Sequence, residues 1–192
     1  MYYKKILAAA LTVSCIGGIV PANSVQAASL KIRYSGKTRY YKGKQLHVSY
    51  ANKNLSSKYV GIQINKVNMI PYYDYLVKQG PKVKRTYSKS SGKLILKNGD
   101  DTLTAYVGKR TYYLNGVKKT FSVAPTKVKY YKTKKTIILI PANAIVKGLG
   151  LNYKYSSSSK RIYITQPVIP SDSTTQVQTY LLENLLPIDI YL

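Results

Sequence analysis

The sequence predicts an α+β fold made of tandem repeats of antiparallel strands with one short helix each. Three observations predict it. Met69-Ile70-Pro71 recurs as Leu139-Ile140-Pro141, and a glycine follows each proline at the same distance, Gly80 and Gly150. Short runs that alternate polar and apolar residues, the period of a half-buried strand, flank both copies. Asn115-Gly116, a two-residue hairpin turn signal, lies between two such runs.

The elements follow in order. Residues 1–27 read as an export leader: Lys4 and Lys5 give a positive start, Ile6–Val20 is mostly apolar, and Val25-Gln26-Ala27 offers small residues before a cut at Ala28. The apolar run is shorter than the roughly 20 residues a membrane-spanning helix needs. Lipidation at Cys15 would be the competing use of this segment, but the apolar run continues past the cysteine. Repeat 1 is placed at 28–98. Its strands are expected in Lys31–Tyr34, Thr38–Tyr41, Leu46–Tyr50 and Val60–Asn65, followed by a helix over 71–79 and a hairpin that ends in Leu94-Ile95-Leu96. Repeat 2 is placed at 99–166, with strands in Leu103–Val107, Thr111–Leu114 and Val117–Val123, a helix over 141–149 and a hairpin that ends in Ile162-Tyr163-Ile164. Proline suits the first turn of a helix, where its missing N–H costs nothing, and glycine suits a left-handed cap after the last turn. Two-turn helices are marginal alone, so both are expected to pack on sheet. Residues 167–192 form an acidic linker or truncated tail, opened by the Pro, Ser, Asp and Thr cluster at Pro167–Thr175.

Composition narrows the function. The chain has Lys+Arg 31 against Asp+Glu 6, a net charge of +25, 21 Tyr, 1 Phe, 1 His and 1 Cys. Leader cleavage would remove Cys15 and leave a product with neither disulfide nor thiol chemistry. One histidine and one cysteine cannot build an imidazole or thiolate metal cage, so no metal, cofactor or catalytic residue is assigned. His47 alternates with Leu46 and Val48 and reads as a solvent-facing strand residue. Asp100-Asp101 reads as a polar turn, since a Ca²⁺ loop needs more carboxylates. Gly148-Leu149-Gly150 follows a helix and does not open one, so it is no phosphate loop. Ser156–Ser159 lacks a partner base.

With these features in place, the run Tyr106-Val107-Gly108, Leu114-Asn115-Gly116, Ala124-Pro125, Ile138–Pro141, Ala144-Ile145-Val146 and Leu149-Gly150, ending in Ile162-Tyr163-Ile164, resembles the copper amine oxidase-like N-terminal domain. This is the stalk domain of many secreted Firmicutes proteins. The likeness covers about residues 30–166 and is looser in the first copy. Tyr155 and Arg85 stand where the family usually has tryptophan. The resemblance implies a non-catalytic, appended module without the copper centre, since the matching motif contains no metal ligand. Related modules precede cell-wall hydrolases such as amidases. The alternative reading it implies is therefore the N-terminal portion of an exported hydrolase whose catalytic domain is missing.

The remaining functional signal is the interleaving of lysine and tyrosine. Such a surface attracts polyanions by charge and holds rings by stacking. Lys127, Lys129, Tyr130, Tyr131, Lys132, Lys134 and Lys135 are the expected polyanion-binding residues. Tyr40-Tyr41-Lys42 and Tyr153-Lys154-Tyr155 repeat the pattern. The expected protein is bacterial, secreted or cell-wall associated, and has no transmembrane anchor after leader cleavage. Its expected partner is an anionic wall polymer, teichoic acid or peptidoglycan, and export makes nucleic acid an unsuitable one.

Overall fold

A computed structural model describes residues 29–43 and 45–168. The expected leader and nearly all of the expected tail lie outside the described residues. Among these residues there are fifteen strands and two short helices. The expected antiparallel strands and paired helices are present, but strand outweighs helix so heavily that the fold is β-rich, and the α+β label fits it only loosely.

Six strands form the largest sheet: β1 (Leu30–Tyr34), β2 (Lys37–Tyr41), β5 (Ile62–Ile64), β6 (Val67–Pro71), β12 (Thr126–Tyr130) and β13 (Lys135–Pro141), in the order β2-β1-β12-β13-β6-β5. A flat sheet would hold its two edges about 24 Å apart at normal strand spacing. Here the Gln63 N–H of β5 donates to the Tyr41 hydroxyl of β2 at 3.0 Å. The sheet must therefore curl into a nearly closed barrel. Ile32, Ile62, Ile64, Met69, Val128, Tyr130 and Leu139 fill its interior.

The sequence repeat meets itself at the centre of this sheet. Leu139 pairs with Pro71, Ile140 with Ile70 and Pro141 with Met69. The two recurring tripeptides thus lie antiparallel about the Ile70–Ile140 pair, in a local two-fold arrangement. Strand alternation then sends Met69 and Leu139 into the barrel and Ile70 and Ile140 to the opposite face. That second face carries a larger core. It includes Tyr75 and Leu76 of the first helix (Tyr73–Gln79), Ile145 and Val146 of the second (Ala142–Gly148), and the inner faces of two smaller sheets. Residues from both halves of the described chain feed this one core.

Two smaller sheets complete the fold. One contains β7 (Lys84–Tyr87), β8 (Lys93–Asn98), β9 (Asp101–Tyr106), β10 (Thr111–Leu114) and β11 (Val117–Thr120), all antiparallel neighbours. Asn115-Gly116 makes the expected turn between β10 and β11, with both residues at positive φ. The other contains β14 (Asn152–Ser156), β15 (Arg161–Thr165), β3 (His47–Tyr50) and β4 (Lys53–Leu55). Here β3 lies parallel to β15, with Val48 beside Ile162, an exception to the antiparallel pattern. Strands from the start of the chain thus complete the sheet that follows the second helix.

The helices differ in kind. The second is α-helical, and Gly150 after it has φ +70, the left-handed conformation anticipated from sequence. The first is a π-helix, and Gly80 has φ −83. Gly80 is needed for a different reason from the expected cap: a Cβ there would run into the Tyr75 carbonyl, which the wider π turn brings against it.

Candidate polyanion-binding face

The seven residues expected from sequence do not lie on one surface. In β12 the buried Val128 fixes the parity: Lys127 and Lys129 point outward, and Tyr130 points into the barrel, 2% exposed. The Tyr130 hydroxyl donates to the Val60 carbonyl at 2.6 Å, and its ring meets Tyr59 edge-on at 5.5 Å. Burial, with smaller contributions from Tyr75 and Tyr41, pushes its pKa well above the usual tyrosine value. Tyr130 is a core residue and offers no stacking surface. Its parity was readable from Val128, which alternates with the two lysines. Lys132 and Lys134 sit at the exposed tip of the β12–β13 hairpin, and Lys135 opens β13.

Pairing across the sheet brings in residues that sequence proximity did not signal. Arg33 of β1 lies opposite Lys129 of β12, and on its other side opposite Thr38 of β2. Lys129 in turn faces Thr136 of β13. The outward row therefore runs Thr38, Arg33, Lys129, Thr136. One step along, Lys31 lies opposite Tyr40, and the Tyr131 N–H donates to the Lys31 carbonyl at 3.1 Å. The Lys31 ammonium sits 5.0 Å from the Tyr131 ring and 5.5 Å from the Tyr40 ring. Lys129 approaches the Tyr131 ring from its own side at 5.5 Å. The Tyr131 and Thr38 hydroxyls share a hydrogen bond of 3.0 Å. That bond, aided by the nearby cations Arg33, Lys129 and Lys31, lowers the Tyr131 pKa.

This face is one wall of an open groove of about 750 Å³. The opposite wall is the turn Lys89–Gly92 with Val107 and Gly108 from the neighbouring sheet. Arg33, Lys89, Lys127 and Lys129 line it, and no acidic residue does. Like charges directly opposite in a ladder destabilise it, so the Arg33–Lys129 pair is an arrangement that an anion would relieve. The other sequence candidates lie elsewhere. His47 is exposed at the start of β3, and Asp101 accepts a hydrogen bond from Asn115 Nδ2 at 2.9 Å in its turn. Tyr41 helps close the barrel, and the Tyr153 hydroxyl accepts from Asn68 Nδ2 at 2.9 Å.

The family model of the copper amine oxidase N-terminal domain matches residues 50–164, more than half of the 192-residue chain. The chain belongs to this family. No curated protein and no solved structure matches it. The copper amine oxidase N-terminal domain is a non-catalytic domain. Its name raises the question of copper, and the residues here do not fit that metal. Among the described residues no three His, Cys, Asp or Glu side chains come together, and the chain has a single histidine. The family match begins at residue 50, so Lys31, Arg33 and Tyr40 of the basic face are supplied by chain outside the matched region.

Proposed function

We propose that this copper amine oxidase N-terminal domain is an exported, non-catalytic, stalk-like module that holds an anionic cell-wall polymer on its basic, tyrosine-bearing face. One observation carries the reading: Arg33 and Lys129 stand opposite each other on a groove wall with Lys127 and Lys89 nearby and no acidic lining residue. A polymer of repeating phosphates, such as teichoic acid, offers the complementary charge along a line. Single exposed charge contacts contribute only about 0–1 kcal/mol, so affinity must come from several acting together. Tyr40 and Tyr131 add ring faces beside those charges.

The test is retention of the leader-free chain on purified walls, with and without teichoic acid, across a salt series. Retention should depend on teichoic acid and fall steeply with salt, because screening shortens to about 8 Å at physiological ionic strength. Replacing Arg33, Lys127 and Lys129 together with Gln should weaken it without unfolding the protein. Retention indifferent to both salt and teichoic acid would remove the electrostatic reading. Mass measurement of secreted protein checks the export half: a mature start at or near Ala28 supports it, and a lipid on Cys15 contradicts it.

A further inference from the structure

A second cavity of about 210 Å³ adjoins the basic groove, and Thr136 lines both. Its character is different. Tyr59, Tyr72, Tyr73 and Tyr87 line it, with Asp74 and Arg85 as its charged groups. The Arg85 guanidinium stacks 4.5 Å from the Tyr73 ring and donates to the Tyr72 hydroxyl at 3.1 Å. Asp74 accepts from the Ser57 hydroxyl at 2.5 Å. The cup thus sets half-buried Tyr59 and Tyr87, the buried Tyr72 and a Tyr73 ring that carries the Arg85 and Lys78 cations beside a carboxylate, a mixture that suits a ring bearing hydroxyl groups: C–H faces lie on tyrosine, and hydroxyls meet the charged groups. Pockets for drug-sized ligands run to about 300–1,000 Å³, so the cup suits one small ring and not a chain.

The repeat supplies an internal comparison. Aligned on the recurring Ile-Pro, the second copy has Ala142-Asn143-Ala144 where the first has Tyr72-Tyr73-Asp74. The second helix packs well with those small side chains, and Ala142 is fully buried. Tyr72 is buried in the same core, so what the first copy adds outside the core is the exposed Tyr73 and the half-buried Asp74. The copy that carries them is also the one with a π-helix, a form that is rare and concentrates at functional sites.

We infer that the tyrosine cup binds a saccharide unit carried on the phosphate polymer whose phosphates occupy the adjoining groove. The ligand class is a sugar-substituted polyol phosphate, as distinct from a bare polyphosphate. The inference rests on the function proposed above for the groove and adds to it a separate subsite with separate residues.

Calorimetric titration at one salt concentration, with three probes, tests it. The probes are a glycosylated poly(glycerol phosphate), the same polymer stripped of its sugar, and the free oligosaccharide. The wild-type chain should bind the glycosylated polymer about tenfold tighter than the stripped one, the size of one good aromatic contact. Tyr73→Ala and Arg85→Gln, both at exposed positions, should abolish that preference and leave the stripped polymer bound as before. In NMR the free oligosaccharide should shift Tyr73, Tyr87 and Thr136. Equal wild-type affinity for the two polymers, with no such shifts, overturns the cup and leaves the groove standing. So does a loss in Tyr73→Ala and Arg85→Gln that is the same for both polymers. Failure to bind either polymer while the oligosaccharide shifts those residues supports the saccharide subsite and overturns the groove.

Discussion

Adjacent tyrosines in Lys129-Tyr130-Tyr131-Lys132 should respond to mutation in opposite ways. Tyr130 is inside the barrel and its hydroxyl satisfies the Val60 carbonyl at 2.6 Å. Tyr130→Phe keeps the ring and strands that carbonyl, which should cost about 1–2 kcal/mol. For a domain of this size that lowers the melting temperature by roughly 3–6 °C. Tyr130→Ala also empties the barrel centre and should cost about 3–5 kcal/mol. Tyr131 lies at the surface, where its partners are the Thr38 hydroxyl and the Lys31 and Lys129 ammoniums. Tyr131→Ala should change stability by less than about 0.5 kcal/mol. In wall retention the order reverses: Tyr130→Phe should bind as wild type, and Tyr131→Ala should bind a few-fold more weakly through loss of ring and cation contacts. Urea denaturation and the retention series read the two effects separately. If Tyr130→Ala proved as mild as Tyr131→Ala, or Tyr130→Phe weakened retention at unchanged stability, the inward placement of Tyr130 would be wrong.

Other perturbations probe the cores and the helices. Burial, with a smaller contribution from Asp74, pushes the Tyr75 pKa up to about 12. The unfolded chain then ionises first, so this contribution is complete below about pH 10 and is lost as pH rises toward 12, by roughly 2–3 kcal/mol. Tyr75→Phe should flatten that part of the alkaline denaturation curve, and an unchanged slope would contradict it. Ile145→Asp places an unpaired charge in the shared core and should destabilise the whole molecule by several kcal/mol in one transition; a separate, unaffected second transition in calorimetry would mean two cores. Gly80→Ala should be destabilising because its Cβ would meet the Tyr75 carbonyl, and an alanine variant as stable as the wild type would contradict that close approach.

The local grammar of the fold was legible. Pro71 and Pro141 lie within two residues of the helix starts, but they close strands β6 and β13 instead of standing in the first helical turn, and Asn115-Gly116 marks a hairpin through the backbone of its own few residues. The pairing of β1 with β12 was not legible. It joins segments far apart in sequence, and both are strands of ordinary alternation with no side chain that specifies its partner. Lys31 and Arg33 are therefore absent from the expected site, although Arg33 lines the groove and Lys31 lies against Tyr131 on the same face. Gly80 looked like a left-handed cap since glycine permits that conformation, but the same residue also permits close backbone approach, and sequence does not separate the two uses. Tyr130 illustrates a further ambiguity. Tyrosine is apolar along its body and polar at its tip, so a Lys-Tyr-Tyr-Lys run reads as surface when the alternation set by Val128 two residues earlier is not carried through it.

Salt should act on stability and on binding in opposite directions, because the same charges govern both. On the proposed export and leader cleavage the product would have no cysteine, and its fold would stand on packing alone. The packing is concentrated on the two faces of the β6–β13 pair, in the barrel and in the helix-covered core. The basic groove lies beside these cores and contributes repulsion: Arg33 opposes Lys129 across the ladder, a like-charge pair that costs up to about 1 kcal/mol. Screening removes that cost, so added salt should raise the melting temperature of the free protein. The same screening weakens attraction to a polyanion, so retention on walls should fall over the same salt range. Arg33→Gln should make the free protein more stable at low salt and less sensitive to salt, while it binds polymer more weakly. Polymer should itself stabilise the wild-type fold at low salt, since a ligand that binds only the folded state adds its binding free energy. A free protein whose melting temperature falls with salt, or an Arg33→Gln variant that is less stable at low salt, would show that these cations are held by internal partners and are not poised for an external anion.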